Sequence, residues 1–442
     1  AAFRIGGGSV FSTPRYARKK CKRRPSKERE AVAVSEKTAI RRNRWKRKIL
    51  EIVRTEPNAS RILIKRLSGL SMESTLSMVE ELLSEGLIES VGKMDDGKVG
   101  RKATLLRIRG DGGYFIGVRY NAASVTGVCM DFSQRVVCHS GEELNAAPNK
   151  QQMLDALERC IQDLISQLGQ RKEHLLGIGV GAPGTIDPVR GVVARYVHIP
   201  DWKDVPLKAL IEKRFGLPTY VEHSVKCATR AAMAQPEYAD CRDLLYLKID
   251  RGLSMCVVID GQVYSGSSYL SGEIGHIHAE DNGIACECGR TGCLETIASN
   301  DAIYAAAERG RRVNPARFAV LNRLLAEGHR LRIETLCLAA QQGCDGSRQV
   351  LAKAGRAVGD ALAAATVLLN PAEIIVAGRL SASQEFCQAL QKTLDDRCFP
   401  ESLAAARLSF TGSFSTQDAQ GAALLPFLKQ FDVEQGGDSL LD

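Results

Sequence analysis

The sequence contains no continuous apolar run of about eighteen residues, the length that a helix needs to cross a membrane. Its basic amino-terminal stretch also lacks the apolar segment of a secretory signal. Both absences argue against membrane insertion and export, so we expect a cytoplasmic location. The fourteen cysteines should therefore be reduced, serving either as metal ligands or as small buried side chains.

Acidic residues are scarce at the amino-terminal end. Residues 1–48 contain seventeen Lys or Arg and three Glu, a charge of +14, so the remaining chain carries −5 of the total of +9. A cationic arm with little apolar content favours polyanions through counterion release and is disordered when alone. We predict such an arm at residues 1–44. A solubilising or non-native extension is the alternative for residues 1–30.

A chain of 442 residues is too long for one hydrophobic core, and residues 45–109 read as a first folded domain. Three short helical patterns are followed by two strand patterns, which predicts a winged helix-turn-helix. The predicted buried stripes of the three helices are Trp45, Ile49, Ile52 and Val53, then Ile62, Ile64, Leu67 and Leu70, then Met72, Leu76, Val79 and Leu83.

The third of these helices has the position of a recognition helix in the major groove. Its expected outward face, on which Met78 also lies, has no Lys or Arg, so bases would be read by hydroxyls, one acid and apolar contacts with thymine methyls. Basic residues of the second helix and the wing would contact phosphates. The predicted DNA-binding residues are Met72, Glu73, Ser74, Thr75, Ser77, Arg61, Lys65, Arg101 and Lys102. Winged helices also bind proteins, which is the alternative.

Four potential ligands of a soft metal occur within the stretch GHIHAEDNGIACECGRTGCLE. They are His276, Cys286, Cys288 and Cys293. A Cys₃His set fills every corner of a tetrahedral Zn²⁺ site and leaves no position for a catalytic water. The spacing therefore predicts a structural zinc ion, with unrelated loop cysteines as the alternative.

The same stretch, GEIGH followed by CxCGxxGCLE, resembles the signature of the ROK family of sugar kinases and sugar-responsive repressors. In that family the loop forms one wall of a sugar pocket, which implies that Glu273, His276 and Glu295 contact sugar hydroxyls. Carboxylates accept hydrogen bonds from hydroxyls, so this chemistry is reasonable. The two glutamates could instead orient the zinc ligands, and both roles can coexist.

From Tyr114 onward, apolar runs alternate with helical patterns, which predicts an α/β architecture in two similar halves. The ROK resemblance implies the two-lobed, actin-like or ribonuclease-H-like fold of sugar kinases. We predict a small lobe at residues 113–222, completed by a C-terminal helix at 420–431. The large lobe, at 223–419, would carry the zinc knuckle and a dimerisation surface. Gly179 and Gly181 are expected to form a tight strand-to-loop turn.

The features that phosphoryl transfer needs are missing. ROK kinases carry a phosphate turn of the form DxGGT, but residues 119–123 read RYNAA, so the acid is a cation and the glycines are gone. The family's catalytic Asp follows an Asn, and this chain has Ser224 and His223 at those positions. We therefore predict that the protein is not an enzyme.

The predicted ligand pocket combines acceptors with unusual donors. Its sugar-binding residues are Glu273, His276, Glu295, His223, Ser224 and His198. With Lys226 beside them, the histidines would favour an anionic group such as a sugar phosphate or sugar acid. Alternatively, Lys226 is solvated and the histidines are ordinary buried donors.

The resemblance implies a sugar-responsive transcriptional regulator, most similar to the glucose- and N-acetylglucosamine-responsive repressors of the family. The expected partners are a double-stranded DNA operator, a sugar or sugar-phosphate effector, and a sugar-transport protein. A homodimer or tetramer is expected because one recognition helix reads too little sequence. The alternatives are a protein-binding scaffold without sugar response and an active sugar kinase.

Overall fold

A computed structural model describes residues 27–93, 103–144, 148–238, 241–412 and 415–431. Within these ranges, a helical N-terminal domain is followed by two α/β lobes. Of the helices in these ranges, none is both long enough and apolar enough to pass through a membrane.

The N-terminal domain consists of three helices and an antiparallel hairpin. Its elements are α1 (Lys27–Thr55), α2 (Arg61–Ser68), α3 (Met72–Ser84), β1 (Ile88–Lys93) and β2 (Thr104–Ile108). Ser60 and Ser71 begin α2 and α3, because each side chain accepts a hydrogen bond from a backbone N–H of the first turn. Gly69 ends α2 at φ 78°, in the left-handed region, and residues 69–71 join the two helices.

The predicted boundary between arm and first domain is wrong. Helix α1 begins at Lys27, so residues 27–44 are helical rather than disordered, and residues 1–26 lie outside the described residues. Charged residues are compatible with a helix when its apolar side packs against a core. Ile49 and Val53 supply that packing near the end of α1, where both are buried.

The predicted buried faces of α2 and α3 are partly wrong. In α3, Thr75, Met78, Val79 and Leu82 are buried, whereas Met72 and Leu76 are each 40% exposed. In α2, Ile64 is buried but Ile62 and Leu67 are exposed. Apolar residues occur all around these short helices, so their periodicity does not determine which side faces the core.

The small lobe contains a five-stranded sheet in the order β10-β6-β3-β4-β5, with a helix between β5 and β6. A separate three-stranded sheet has the order β7-β8-β9. The elements are β3 (Tyr114–Asn121), β4 (Ser124–Asp131), β5 (Val136–Glu143), α4 (Lys150–Leu168), β6 (Leu175–Ala182), β7 (Thr185–Asp187), β8 (Val192–Arg195), β9 (Lys203–Val205), α5 (Leu207–Phe215) and β10 (Thr219–His223).

The large lobe contains a second five-stranded sheet, in the order β13-β12-β11-β14-β15. Its elements are α6 (Ser224–Met233), β11 (Leu244–Ile249), β12 (Leu253–Ile259), β13 (Gln262–Tyr264), α7 (Glu295–Ala298), α8 (Asn300–Val313), α9 (Ala319–Ala326), α10 (Ile333–Gln341), α11 (Asp345–Leu369), β14 (Glu373–Gly378), α12 (Gln384–Arg397), α13 (Pro400–Ala404) and β15 (Arg407–Thr411). In both sheets the first three strands are antiparallel and the last two run parallel to the first. The lobes are therefore two copies of one topology.

The C-terminal helix α14 (Ser415–Phe431) returns to the small lobe and packs on β3 and β6. The contact is between backbones: a Cβ added at Gly117 would lie 2.0 Å from Ala419 O, and one at Gly179 would lie 1.8 Å from Ala422 O. The prediction that Gly179 and Gly181 form a turn is wrong, because both lie within β6. Gly179 leaves room for a helix and does not turn the chain.

The N-terminal domain shares a core with the small lobe. Residues of α1, including Ile49 and Leu50, belong to one buried cluster with Phe115, Phe132 and Phe427. The rings of Phe115 and Phe427 meet edge to face with centroids 5.5 Å apart. Helix α14 therefore contacts both the helical domain and the sheet of the small lobe.

Candidate interlobe ligand site and metal site

A cavity of about 460 Å³ lies between the two lobes. All six residues predicted to bind sugar line this cavity: Glu273, His276, Glu295, His223, Ser224 and His198. The small lobe, the large lobe and helix α14 each contribute to the wall. The fold thus collects residues from distant parts of the chain, and their role as sugar ligands stays a prediction.

His276 belongs both to the cavity and to the cysteine cluster. Its Nδ1 atom lies 3.5 Å from Sγ of Cys286, and its Nε2 atom lies 4.0 Å from Oε2 of Glu273. Burial raises the pKa of the Glu273 carboxyl above its usual range. In this geometry one glutamate can orient the imidazole and face a ligand in the cavity, so both roles considered from the sequence are compatible.

The backbone holds Glu295 in place at the cavity wall. Its Oε2 atom accepts a hydrogen bond from the Leu253 N–H at 3.1 Å. A Cβ added at Gly252 would lie 2.8 Å from the same oxygen, so the carboxylate fits because residue 252 is glycine. A carboxylate with a fixed orientation is suited to accept hydrogen bonds from ligand hydroxyls.

His223 is a neutral donor in this cavity. Its Nδ1 atom accepts the Val225 N–H at 3.3 Å and begins helix α6, so a neutral ring carries its proton on Nε2. Burial, with the positive charges of Lys226 and Lys248, lowers the pKa of His223 to about 3. A group with that pKa is a weak general base at pH 7. Ser224, the next residue, offers a hydroxyl without useful basicity.

Several charged residues that line the cavity were not among the predicted site residues, and three of them lie together. Lys248 on β11 donates a hydrogen bond to Oδ2 of Asp418 on α14. Arg119 Nε, on β3, lies 3.7 Å from the same oxygen. The sequence marked Arg119 as a departure from the kinase motif, but it gave no signal that linked this residue to Lys248 or Asp418.

The predicted position of Lys226 is wrong. Its side chain does not line the interlobe cavity but is buried, with Nζ 3.2 Å from Oγ of Ser265 and 3.6 Å from Oε1 of Glu222. Lys226, in the first turn of α6, pairs with Glu222 on the preceding strand β10 instead of facing the ligand site. His198 does line the cavity, with Nδ1 3.9 Å from Oε1 of Glu287.

The four predicted metal ligands lie together. The ligand atoms of His276, Cys286, Cys288 and Cys293 are all within 4.8 Å of one another, and Cys288 Sγ is 3.6 Å from Cys293 Sγ. Gly289 and Gly292, at φ 89° and 71°, provide the left-handed positions that the tight loop needs. Three sulfurs and one imidazole within this distance could hold a metal ion, and the donor set is the one that zinc prefers.

The surroundings favour thiolate at Cys288 alone, because burial raises the pKa of Cys286 to about 12 and also raises the pKa of Cys293. Burial acts to raise the pKa of Cys288, but hydrogen bonds from the backbone and side chain of Arg290 outweigh it and lower the pKa to about 6. The same guanidinium donates to the His276 carbonyl at 3.0 Å and so links the two ends of the loop. A thiol must be deprotonated to bind a metal, so the charge of Arg290 suits metal binding at Cys288.

Only some of the α3 residues predicted to bind DNA are exposed. Met72, Glu73 and Ser77 are exposed on α3 and Ser74 is half-buried, but Thr75 is buried and donates to Ser71 O at 2.9 Å. The prediction for Thr75, like that for Met78, is therefore wrong.

On α2, the side chain of Arg61 pairs with Glu80 of α3, and Lys65 is exposed. Arg101 and Lys102 lie outside the described residues.

Two duplicated α/β lobes around a cleft, with a Cys₃His cluster on one wall, define a sugar-kinase-like protein. A family model described as "ROK family" matches residues 130–426, so the chain belongs to the ROK family. The α/β fold class is confirmed.

The similar curated proteins include transcriptional regulators. The chain is 31% identical over 335 residues to the DNA-binding transcriptional dual regulator NagC of Escherichia coli, covering 74% of this chain and 78% of that protein. It is 30% identical over 327 residues to the DNA-binding transcriptional repressor Mlc of the same organism, covering 74% and 78%. It is 24% identical over 363 residues to the xylose repressor of Caldicellulosiruptor bescii, covering 79% and 87%.

Solved structures show the same fold. A ROK family transcriptional regulator, a homologue of the Escherichia coli MLC protein, aligns with a TM-score of 0.75 and 23% identity over 89% of this chain and 96% of that one. A ROK family glucokinase from Streptomyces griseus aligns with a TM-score of 0.58 and 24% identity, covering 71% of this chain and 99% of the glucokinase. The alignment with the glucokinase thus includes nearly all of that protein but leaves part of this chain unmatched. The alignment with the regulator covers a larger share of this chain.

Proposed function

We propose that this protein is a sequence-specific DNA-binding transcriptional regulator, a repressor of genes for sugar uptake or catabolism. Its effector is a sugar or sugar phosphate bound between the lobes, or a sugar-transport partner. The observation that carries the proposal is the combination of a kinase-like pair of lobes with a helical N-terminal domain packed on it. Relatives named as repressors cover about three quarters of the chain.

DNA binding is assigned to the N-terminal domain as a winged helix-turn-helix. Three residues join α2 and α3, and the hairpin β1–β2 follows as a wing. The exposed residues of α3, Met72, Glu73 and Ser77, would read base edges, while Lys65 would contact phosphate. Two copies in a dimer would read two half-sites.

The interlobe cavity is proposed to bind ligand without phosphorylating it. His223 and Ser224 stand at the positions of the kinase Asn and Asp, and neither provides a strong base. Arg119 replaces the acid of the phosphate turn and lies beside Asp418. Glu273 and Glu295 would accept hydrogen bonds from sugar hydroxyls, with His198 and the Nε2–H of His223 as donors.

The cysteine cluster is proposed to hold a structural zinc ion. His276 would bind the ion through Nδ1 while its Nε2 remains on the side of Glu273. The ion would therefore fix one wall of the ligand cavity, and its loss would damage ligand response and folding together.

Capture of genomic DNA tests the proposal. The zinc-loaded full chain is incubated with fragmented DNA of the source organism at about 0.15 M salt, with and without a panel of sugars and sugar phosphates, because low salt would favour nonspecific binding. We expect enrichment of a few palindromic sites and their release by one sugar. Uniform capture that no sugar changes would contradict the proposal.

A matched pair of variants distinguishes an effect on DNA sequence recognition from an effect on folding. Glu73→Gln combined with Ser77→Ala removes one negative charge and one hydroxyl from the exposed face of α3 and should abolish the enrichment without changing the melting temperature. Glu401→Gln, an exposed change on α13, should leave the same sites enriched. Equal behaviour of the two proteins would show that α3 does not read the sequence.

A further inference from the structure

A second cavity, of about 290 Å³, lies where the N-terminal domain meets both lobes. Helix α1 forms one wall, and the end of α6, the segment that leads to β11 and the turn between β12 and β13 form another. Helix α14 and the small lobe complete it through Phe427 and Phe132. This cavity shares no lining residue with the interlobe cavity.

The wall of the second cavity is strongly cationic. Four arginines line it, Arg47, Arg54, Arg230 and Arg242, against one acid among the described residues, Glu51. Arg47 and Arg54 are seven residues apart on α1 and so lie on one face of that helix. They come from a different domain than Arg230 on α6, so the fold alone brings these charges together.

Arg230 has hydrogen-bonding capacity that the described residues do not use. Its Nε atom is buried and has no hydrogen-bond partner among them. Arg242, at the rim, is exposed and pairs with Asp260 at 3.1 Å. A buried guanidinium N–H without a partner loses hydration without compensation, so an acceptor that enters the cavity would be stabilised there.

The remaining wall is apolar. Leu50, Phe132, Leu424 and Phe427 are buried, with exposed fractions of 2%, 1%, 6% and 7%. Ile108 of the wing strand adds to the same surface. An inorganic anion would leave this surface without a partner, whereas an apolar chain attached to the anion would cover it.

We propose that this junction cavity binds an amphipathic organic anion, a carboxylate that carries a short acyl or aryl body. The carboxylate pairs with Arg230 and the α1 arginines, since guanidinium matches carboxylate geometry. The apolar body packs on Leu50 and Phe427. Because the wall belongs to α1, α6 and α14, such a ligand also favours the arrangement of the three parts that forms the cavity.

Calorimetric titration of the zinc-loaded full chain with octanoate tests the proposal. We expect saturable binding, weakened about tenfold or more by Arg230→Gln because a charged hydrogen bond is lost. Arg54→Gln should act in the same direction. Arg190→Gln removes one exposed arginine outside the cavity and should leave octanoate affinity unchanged.

Two further titrations separate the components of recognition. Acetate has the same charged group without the apolar body, and 1-octanol has the apolar body without the charge; both should bind much more weakly than octanoate. The proposal is overturned if octanol binds as well as octanoate, if acetate competes equally, or if Arg230→Gln and Arg190→Gln behave alike. This binding does not depend on DNA or sugar, so its failure is distinct from failure of the proposed function.

Discussion

Lys248 and Asp418 form a buried ion pair that ties the large lobe to the C-terminal helix. Their side chains come from β11 and α14, and the residues are 7% and 3% exposed. Arg119 of the small lobe approaches the same carboxylate. One acidic group therefore balances two cations at the junction of the lobes, beside the proposed effector cavity.

Removal of that acid should be costly. Asp418→Asn removes the acidic partner that Lys248 and Arg119 share among the described residues, and should lower the free energy of unfolding by about 3–5 kcal/mol in urea titrations. Asp396→Asn provides the control, because it breaks an exposed pair with Lys392 and should cost at most about 1 kcal/mol. Equal stability of the two variants would contradict a central role for the buried pair.

The metal site can be tested with two histidines of the same loop. His276→Asn removes a proposed ligand, so the purified protein should lose most of its zinc, measured by elemental analysis, and melt at a lower temperature. His278 is exposed and lies near Asp281 instead, so His278→Asn should retain the metal. Full zinc content in the His276 variant would exclude the proposed ligand set.

Neighbouring hydroxyls on α3 should have opposite roles. Thr75→Val removes a buried hydroxyl that bonds to Ser71 O and should destabilise the protein by about 1 kcal/mol while leaving the DNA sequence preference unchanged. Ser77→Ala should change the preference and leave stability within about 0.5 kcal/mol. Selection from a random DNA library combined with thermal melting checks both outcomes. A preference altered by Thr75→Val alone would mean that α3 presents another face to DNA.

His223 should make stability depend on pH. Its pKa is lowered to about 3 in the folded protein from the ordinary value of 6.5, so the unfolded chain binds more protons between these values. Stability should therefore rise with pH across this interval, with a slope of at most about 1.4 kcal/mol per unit for one group. His223→Asn should remove this contribution. The difference in unfolding free energy between the two proteins, measured from pH 4 to pH 7, gives the test, and a constant difference would contradict it.

The contact between β6 and α14 should tolerate no side chain at Gly179. Gly179→Ala places a methyl group against Ala422 O and should destabilise the protein by about 3 kcal/mol or more. Gly181→Ala lies on the same strand, where the nearest atom is 3.4 Å from the added Cβ, and should be much milder. Urea titration compares the two variants; similar losses would show that α14 does not press on Gly179.

Local spacing was sufficient for the metal cluster. Its proposed ligands lie between residues 276 and 293, where glycines at 289 and 292 let a short loop bring them together. The alternation of apolar runs likewise predicted two α/β halves, because strand and helix periods are properties of consecutive residues. The resemblance identified the family from the same loop, and the match to residues 130–426 confirmed it.

Other predictions failed where the answer depended on packing between distant segments. Thr75 and Met78 are buried because α3 turns that side toward the core, a choice that its short and widely apolar sequence left open. Gly179 packs against α14, which lies more than two hundred residues further along the chain. In both cases the residues nearby in the sequence are compatible with the predicted structure as well as with the observed one.

The sequence by itself determined the α/β fold class, the Cys₃His cluster and the family, since each depends on residue types at short, fixed spacing. Only the tertiary structure decided which side of each helix is buried, and that Lys226 pairs with Glu222 rather than facing the ligand. It alone brought Lys248 to Asp418, and Arg47 and Arg54 to Arg230. Such groupings arise when the lobes and the C-terminal helix pack together, and the energies that decide them are sums over contacts between residues far apart in the chain.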